Sequence, residues 1–279
     1  MFQYAIGRKI ALANGAPLKL DIMWHINKPD RPYSLHHFAI NAEMATEDEI
    51  AKLSKAKMPL YKRVINSVKE VGKPYYLRSE IHEKCVDFDP NILHISDGAY
   101  LNGYWQSEKY FKDIEEVLRS DFKVIEPLST INMKCAQQII TSNAIAIHVR
   151  RGDYVSNPAT HQVHGTCSLD YYQEAMDLIL SKVQEPHFFV FSDDPKWALE
   201  NIRTDSPITY VCNNPPERNY DDLRLMSLCK HFIIANSSFS WWGAWLSEND
   251  DKIVVAPAQW FQGIEYNDAD RLPESWIQV

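Results

Sequence analysis

The chain lacks most of the marks of a secreted, membrane-spanning or nucleic-acid-binding protein. Its five cysteines, at 85, 135, 167, 212 and 229, form no Cys-x-x-Cys pair. An odd, unpatterned set argues against a disulfide frame or a zinc site and points to reduced thiols in a cytoplasmic setting. No apolar run approaches the roughly 18 residues that would span a bilayer. Met1 leads directly into an amphipathic pattern, so no signal peptide is expected. Basic residues are in the minority: 29 Lys and Arg against 37 Asp and Glu give a net charge of −8. A polyanion binder carries a basic face, so nucleic acid is not expected as the partner. Internal repeats and low-complexity stretches are also missing.

What is present is a soluble globular composition, 45% hydrophobic and 24% charged, in 279 residues. That length accommodates two domains. Aromatics reach 12%, which suits sugar recognition and large cores equally.

The most informative stretch is Ala144-Ile-Ala-Ile-His-Val-Arg-Arg-Gly-Asp-Tyr154. Residues 144–149 read as a buried parallel strand. It runs into His148, Arg150, Arg151 and Asp153, four ionisable groups in six residues. Adjacent arginines at the end of a buried strand are costly unless they hold an anion. Arginine's planar fork suits phosphate, and ligands of open α/β sheets sit at this end of the strands. A salt-bridged loop is the plainer alternative.

In chain order, Phe2, Ile6, Ile10 and Ala13 recur at helical spacing, and Asn14-Gly15 ends the run. Residues 16–22 predict a strand, and 24–45, rich in Pro, His and Asn, an irregular loop. Thr46-x-x-Glu49 is a capping box opening a helix to about Ala56. The stretch 57–90 is mixed and basic in its first half, with no clear assignment. A strand follows at 99–105, then a helix from the cap Ser107 with Tyr110, Phe111, Ile114, Val117 and Leu118 on one face. Glu126-Pro127 marks the boundary, giving domains 1–126 and 127–279, and a helix follows at 129–140.

Beyond it, strands at 144–149, 187–192, 208–212, 231–235 and 252–256 alternate with helices at 169–182, 194–202, 221–230 and 239–247. That alternation predicts right-handed crossovers and a parallel sheet. Polar residues then collect at one edge: His148 and Arg150, Ser192-Asp193-Asp194, and Asn236-Ser237-Ser238. Asn236-Ser-Ser-Phe239 joins a strand to a helix, either as an ordinary N-cap or as a phosphate seat. Asp193-Asp194 followed by Pro195 reads better as an N-cap than as a metal site, and arginines make a metal unnecessary. Asp222 either favours its helix dipole or accepts hydrogen bonds from a nucleoside. Trp241, Trp242 and Trp245 read as core. His161 and His164 lie in a Pro- and Gly-containing loop, 156–168, fit to close over a site.

His148-Val-Arg-Arg-Gly-Asp153 resembles the His-x-Arg-Arg-x-Asp motif of α-1,2-fucosyltransferases, glycosyltransferase family 11. The likeness extends to Phe2-Gln-Tyr-Ala5, Gly103-Tyr-Trp-Gln-Ser-Glu-Lys-Tyr-Phe111, Phe191-Ser-Asp-Asp194, Asp222 through Phe239, and Val255-Ala-Pro257. The second half is also similar to the donor domain of protein O- and α-1,6-fucosyltransferases. The resemblance implies an α/β fold of the GT-B type, two Rossmann-like domains facing a cleft. It implies inverting, metal-independent transfer of L-fucose from GDP-fucose to the 2-hydroxyl of a terminal galactose in a glycan.

Arg150 would then hold the diphosphate, with His148 and Asp153 beside it at the reacting centre. Ser237, Ser238 and Phe239 would form the phosphate loop, and Asp222 would meet the nucleoside. Arg151, Asp194 and Asn236 would complete the donor site. Asp153, and after it His161 or His164, are candidate bases, although Asp153 fits better as a salt-bridge partner of Arg150. Members of the family usually open with a strand and a Gly-Gly-Leu-Gly-Asn-Gln loop before Met-Phe-Gln-Tyr-Ala. Their absence here leads to the expectation of an N-terminal domain without its first strand and a catalytically impaired GDP-sugar binder as the alternative function. A third alternative is an unrelated phosphate-ester enzyme, for which no nucleophile or metal set is evident. Localisation is expected to be cytoplasmic, with at most peripheral membrane contact through a lipid-linked acceptor at the inner face.

Overall fold

The computed structural model describes residues 1–26, 28, 32–55, 57–262 and 270–279. The predicted helix end at Ala56 and part of the 24–45 loop lie outside the described residues. The chain divides into two compact units, the first comprising Met1–Lys123 with 270–273 and the second the remainder from Val124.

The first unit opens with helix α1, Phe2–Asn14, whose inner face buries Phe2, Tyr4, Ala5, Ile6 and Ile10. It ends on Gly15 at φ 62°, the left-handed cap that the Asn-Gly pair predicts. Strand β1 (Lys19–Leu20) pairs in parallel with β2 (Glu43–Met44), and β3 (Glu80–His82) with β4 (Tyr100–Asn102). Both predicted strands of this half are therefore shorter than the sequence pattern. Helix α2, Glu47–Leu53, carries the full capping box of Thr46 and Glu49. Helix α3, Leu60–Lys69, lies in the stretch left unassigned by sequence. After Ser107 come two 3-10 turns, and only then α4, Glu115–Asp121.

With so few ladder bonds, carboxylates hold this unit together. Asp121 accepts from Tyr4 Oη at 2.6 Å and Arg8 Nε at 2.9 Å. Glu80 accepts from Ser54 Oγ at 3.2 Å and Lys55 N at 2.9 Å. Trp105 sits at φ 56°, and its corner is fixed by Glu83, which accepts from Tyr104 N at 2.6 Å and Trp105 N at 2.9 Å. Glu80 and Glu83 thus satisfy backbone N–H groups that a longer sheet would have paired, while Asp121 ties side chains together.

The second unit begins with α5, Thr130–Ile140, capped by Ser129. Its strands are β5 (Asn143–Val149), β6 (Pro186–Ser192), β7 (Ile208–Val211), β8 (His231–Ile233), β9 (Val254–Ala256) and β10 (Ile277–Gln278). All pair in parallel in one six-stranded sheet of order β10-β9-β8-β5-β6-β7. The first five match the predicted runs to within a few residues; β10, two residues long, carried no legible pattern. Helices α6 (Gly152–Ser156), α7 (Pro158–His164), α8 (Leu169–Lys182), α9 (Pro195–Asn201), α10 (Asn219–Ser227) and α11 (Ser238–Trp245) make the connections.

The core between β5, β6, β8, β9 and α8 is made of Ile145, Ile147, Phe188, Val190, Ile179 and their neighbours, nearly all without solvent exposure. Trp241, Trp242 and Trp245 are buried as expected. From β5 the chain steps outward through β6 and β7, then returns to place β8 on the other side of β5. The strand order thus reverses between β5 and β8, the switch point where a crevice opens at the carboxyl ends of the strands.

Candidate active site

The order of strands in the sheet therefore puts the ends of β5 and β8 at the crevice, and those ends carry His148–Asp153 and Asn236–Phe239. Two adjacent tyrosines of α8 fix this edge. Tyr172 donates to the His148 carbonyl at 3.1 Å. Tyr171 donates to the Ile234 carbonyl at 2.5 Å and the Val255 carbonyl at 3.2 Å, which pins β8 beside β9.

Arg150 leaves β5 between two carboxylates. Its terminal nitrogens meet Asp153 Oδ1 at 2.5 Å and Asp193 Oδ2 at 3.0 Å, and its guanidinium lies 5.2 Å from the centre of the Tyr154 ring. Its Nε is buried and has no hydrogen-bond partner among the described residues. Of the guanidinium's donors, the second hydrogen of each terminal nitrogen is not used by these two carboxylates. Arg151 faces the other way: its Nε meets Asp194 Oδ2 at 3.3 Å and its guanidinium stacks 4.2 Å over Trp197.

Asp193 is the hub of this group. It also accepts from Arg151 N at 2.8 Å, and a Cβ on residue 152 would come within 2.5 Å of its Oδ2. Glycine at 152 is therefore a requirement of the contact. Asp194, by contrast, caps α9 by accepting from Trp197 N at 3.1 Å, in keeping with the N-cap reading of the Asp-Asp-Pro run. Compensating carboxylates are what allow two adjacent arginines to be partly buried here.

His148 is 4% exposed, and its Nδ1 has no partner among the described residues. Burial, and then the charge of Arg150, pull its pKa down to about 3, so the imidazole is neutral at physiological pH. Its ring lies 5.4 Å from that of Phe239, which brings the ends of β5 and β8 together. Ser237 caps α11 by accepting from Phe239 N at 3.3 Å, and Ser238 is exposed at the first turn, where helix N–H groups favour anions.

Asn236 is committed to structure. Its Nδ2 donates to the carbonyls of His164 at 2.8 Å and Trp260 at 3.1 Å, and its Oδ1 accepts from the Cys167 thiol at 3.7 Å. The loop expected at 156–168 is instead largely α7, with Asn157 as N-cap and Pro158 in its first turn. That Asn-Pro start is a helix signal that loop composition masked. His161 Nδ1 meets the Tyr154 carbonyl at 2.8 Å, and the His164 ring stacks on Tyr154 at 4.7 Å. Both histidines thus support Tyr154, which itself donates to the Asn236 carbonyl at 3.2 Å.

Asp222 belongs to a different polar network. It accepts from Asn214 Nδ2 at 2.6 Å, and Asn214 is tied in turn to the fully buried Asn132 at 2.8 Å. Burial, reinforced by the charge of Asp221 and opposed by the Asn214 bond, raises its carboxyl to about 6. The neighbouring Asp221 is fully buried between Arg218 and Arg224. Sequence reasoning gave no role to Tyr154, Trp197, Gly152 or Asn214; only Gly152, inside the motif, and Tyr154, next to it, stood where a signal could be sought. Among the described residues, no group of three or more His, Cys, Asp or Glu is arranged to hold a metal ion.

Comparison with known proteins completes the picture. The model of the family described as Glycosyl transferase family 11 matches residues 84–279. An α-1,2-colitosyltransferase from Escherichia coli is 33% identical over 100% of this chain and 94% of its own length. The O-antigen biosynthesis glycosyltransferase WbnK, also from Escherichia coli, is 34% identical over 100% of this chain and 96% of its own. Galactoside α-(1,2)-fucosyltransferase 1 of Bos taurus is 28% identical over 64% of this chain and 52% of that protein. A family match over most of the chain, with end-to-end identity to two bacterial transferases, shows that the chain belongs to glycosyl transferase family 11 and is a glycosyltransferase.

Proposed function

We propose that this enzyme moves L-fucose from GDP-fucose to the 2-hydroxyl of a terminal galactose in a glycan, with inversion and without a metal. The observation that carries the reading is Arg150 at the strand switch point, held by two carboxylates yet with a buried, unpartnered Nε. The names of the relatives support the α-1,2 linkage.

In this reading the remaining donors of Arg150 bind the diphosphate, together with the first turn of α11 at Ser237, Ser238 and Phe239. As the sugar–phosphate bond breaks, negative charge grows on the β-phosphate. Donors fixed in advance bind that charge better in the transition state than in the ground state, which lowers the barrier. Neutral His148 presents Nδ1 to the donor, and Asp222, steadied by Asn214, meets the nucleoside. Arg151 and Asp194 shape the wall behind Arg150, and Asn236 positions the loops around it. Asp153 keeps Arg150 aimed and is also our candidate for receiving the acceptor proton.

A colitosyl donor is the second reading, favoured by the end-to-end identity to the colitosyltransferase. No observation favours the catalytically impaired alternative. The test is transfer from GDP-fucose to lactose or N-acetyllactosamine in EDTA, with a GDP-activated colitosyl donor in parallel. Fucosylation that persists in EDTA and is lost in Arg150→Ala supports the reading. Faster transfer of the colitosyl group would move the donor to the second reading, and loss of activity in EDTA would remove the metal-free mechanism.

A further inference from the structure

Helix α3 is mounted the wrong way round for a globular domain. At 100° per residue, Leu60, Tyr61, Val64, Ile65 and Val68 occupy an arc of roughly 140°. Such a face ordinarily packs inward. Here it faces solvent: Leu60 is 75% exposed and Val68 68%. The side that faces the protein is polar. Glu70, at the end of the helix, is buried, accepts from Ser79 N and Oγ at 2.7 Å and pairs with Lys55 at 2.7 Å. Asn66, on the same side, donates to Met58 Sδ at 3.7 Å.

Charge says what the outward face meets. From Lys52 to Lys73 stand seven Lys or Arg residues against one acidic residue, Glu70, in a chain of net charge −8. Lys62 and Lys69 border the apolar arc on one side and Arg63 on the other; all three are exposed. A second copy of the chain packed symmetrically on this face would set its basic flanks against their own kind. An anionic lipid surface complements both halves, accepting the apolar side chains between headgroups while the flanking cations reach the phosphates. No helix among the described residues is long and apolar enough to cross a membrane, so contact would be in the plane of the interface.

We propose that α3 is a membrane-docking helix that seats the enzyme directly on anionic bilayers, through its own side chains and independently of any acceptor. The test is flotation of the whole protein with phosphatidylglycerol–phosphatidylcholine vesicles and with phosphatidylcholine alone. Wild type is compared with Leu60→Gln/Val64→Gln/Val68→Gln and with Lys62→Glu/Lys69→Glu. These positions are exposed, so circular dichroism and the thermal midpoint should match wild type.

The wild type should float with anionic vesicles, less so at high salt, and each variant should lose about tenfold or more in partitioning. Failure of the wild type to bind anionic vesicles, or undiminished binding by the triple variant, would overturn the proposal. So would a dimer in sedimentation that the triple variant abolishes while vesicle binding is absent.

Discussion

The two units solve the same problem, satisfying the backbone around a core, by different means. The second buries strands inside one six-stranded parallel sheet, where ladder bonds account for the backbone and apolar residues fill both faces. The first has, among its described residues, four strands of two or three residues in separate pairs and relies on Asp121, Glu80 and Glu83 reaching across the chain. Stability in the second unit is therefore a matter of packing. In the first it is concentrated in a few carboxylates.

Deleting a core ring should produce the largest effect. Phe188 is fully buried in the second unit, and Phe188→Ala should cost about 3–5 kcal/mol, read by urea denaturation. Next comes the first unit's staple. Asp121→Ala strands the Tyr4 hydroxyl and Arg8 and should cost about 3 kcal/mol in the same experiment, although it removes little apolar surface. A loss below 1 kcal/mol, on the order of an exposed ion pair, would erase the distinction between the units.

A pH series sharpens it further. The pKa of His148 falls from 6.5 to about 3 on folding, so between those values the unfolded chain binds the extra proton. Stability should then fall as pH drops through this window, by at most about 1.4 kcal/mol per pH unit from this group. His148→Asn should flatten that part of the profile. Asp222 acts in the opposite sense: its carboxyl, raised to about 6, lowers stability as pH rises from 3.8 to that value. The smallest effect is Glu83→Gln, which keeps an acceptor at the Trp105 corner and should cost roughly 1 kcal/mol in thermal unfolding.

The same contrast explains what was legible. Runs such as Ala144–Val149 and Phe188–Phe191 announce buried strands because a covered parallel sheet demands unbroken apolar sequence. Their alternation with helices announced a parallel sheet, but the pairing of β5 with β8, which brings the strand ends carrying Arg150 and Ser237 to one edge, came only from the structure. The first unit was hard to read because a bond such as Asp121 to Tyr4 spans 117 residues and leaves no local period. Helix α3 does carry a local period, in Leu60, Tyr61, Val64, Ile65 and Val68, but the lysine and arginine interleaved with it masked the run. Within the site, Arg150, Asp153 and the cap at Ser237 were visible from the motifs. The role of Asp193 was not, because adjacent carboxylates look alike until the fold gives Asp194 to α9 and Arg151, and Asp193 to Arg150.

The central claim is that Arg150 at the strand switch point binds the donor diphosphate. It is tested most directly by calorimetry of GDP and guanosine with wild type and Arg150→Ala. The account predicts that the variant loses about tenfold to a hundredfold in affinity for GDP while any affinity for guanosine is unchanged. GDP affinity equal in the two proteins would contradict it.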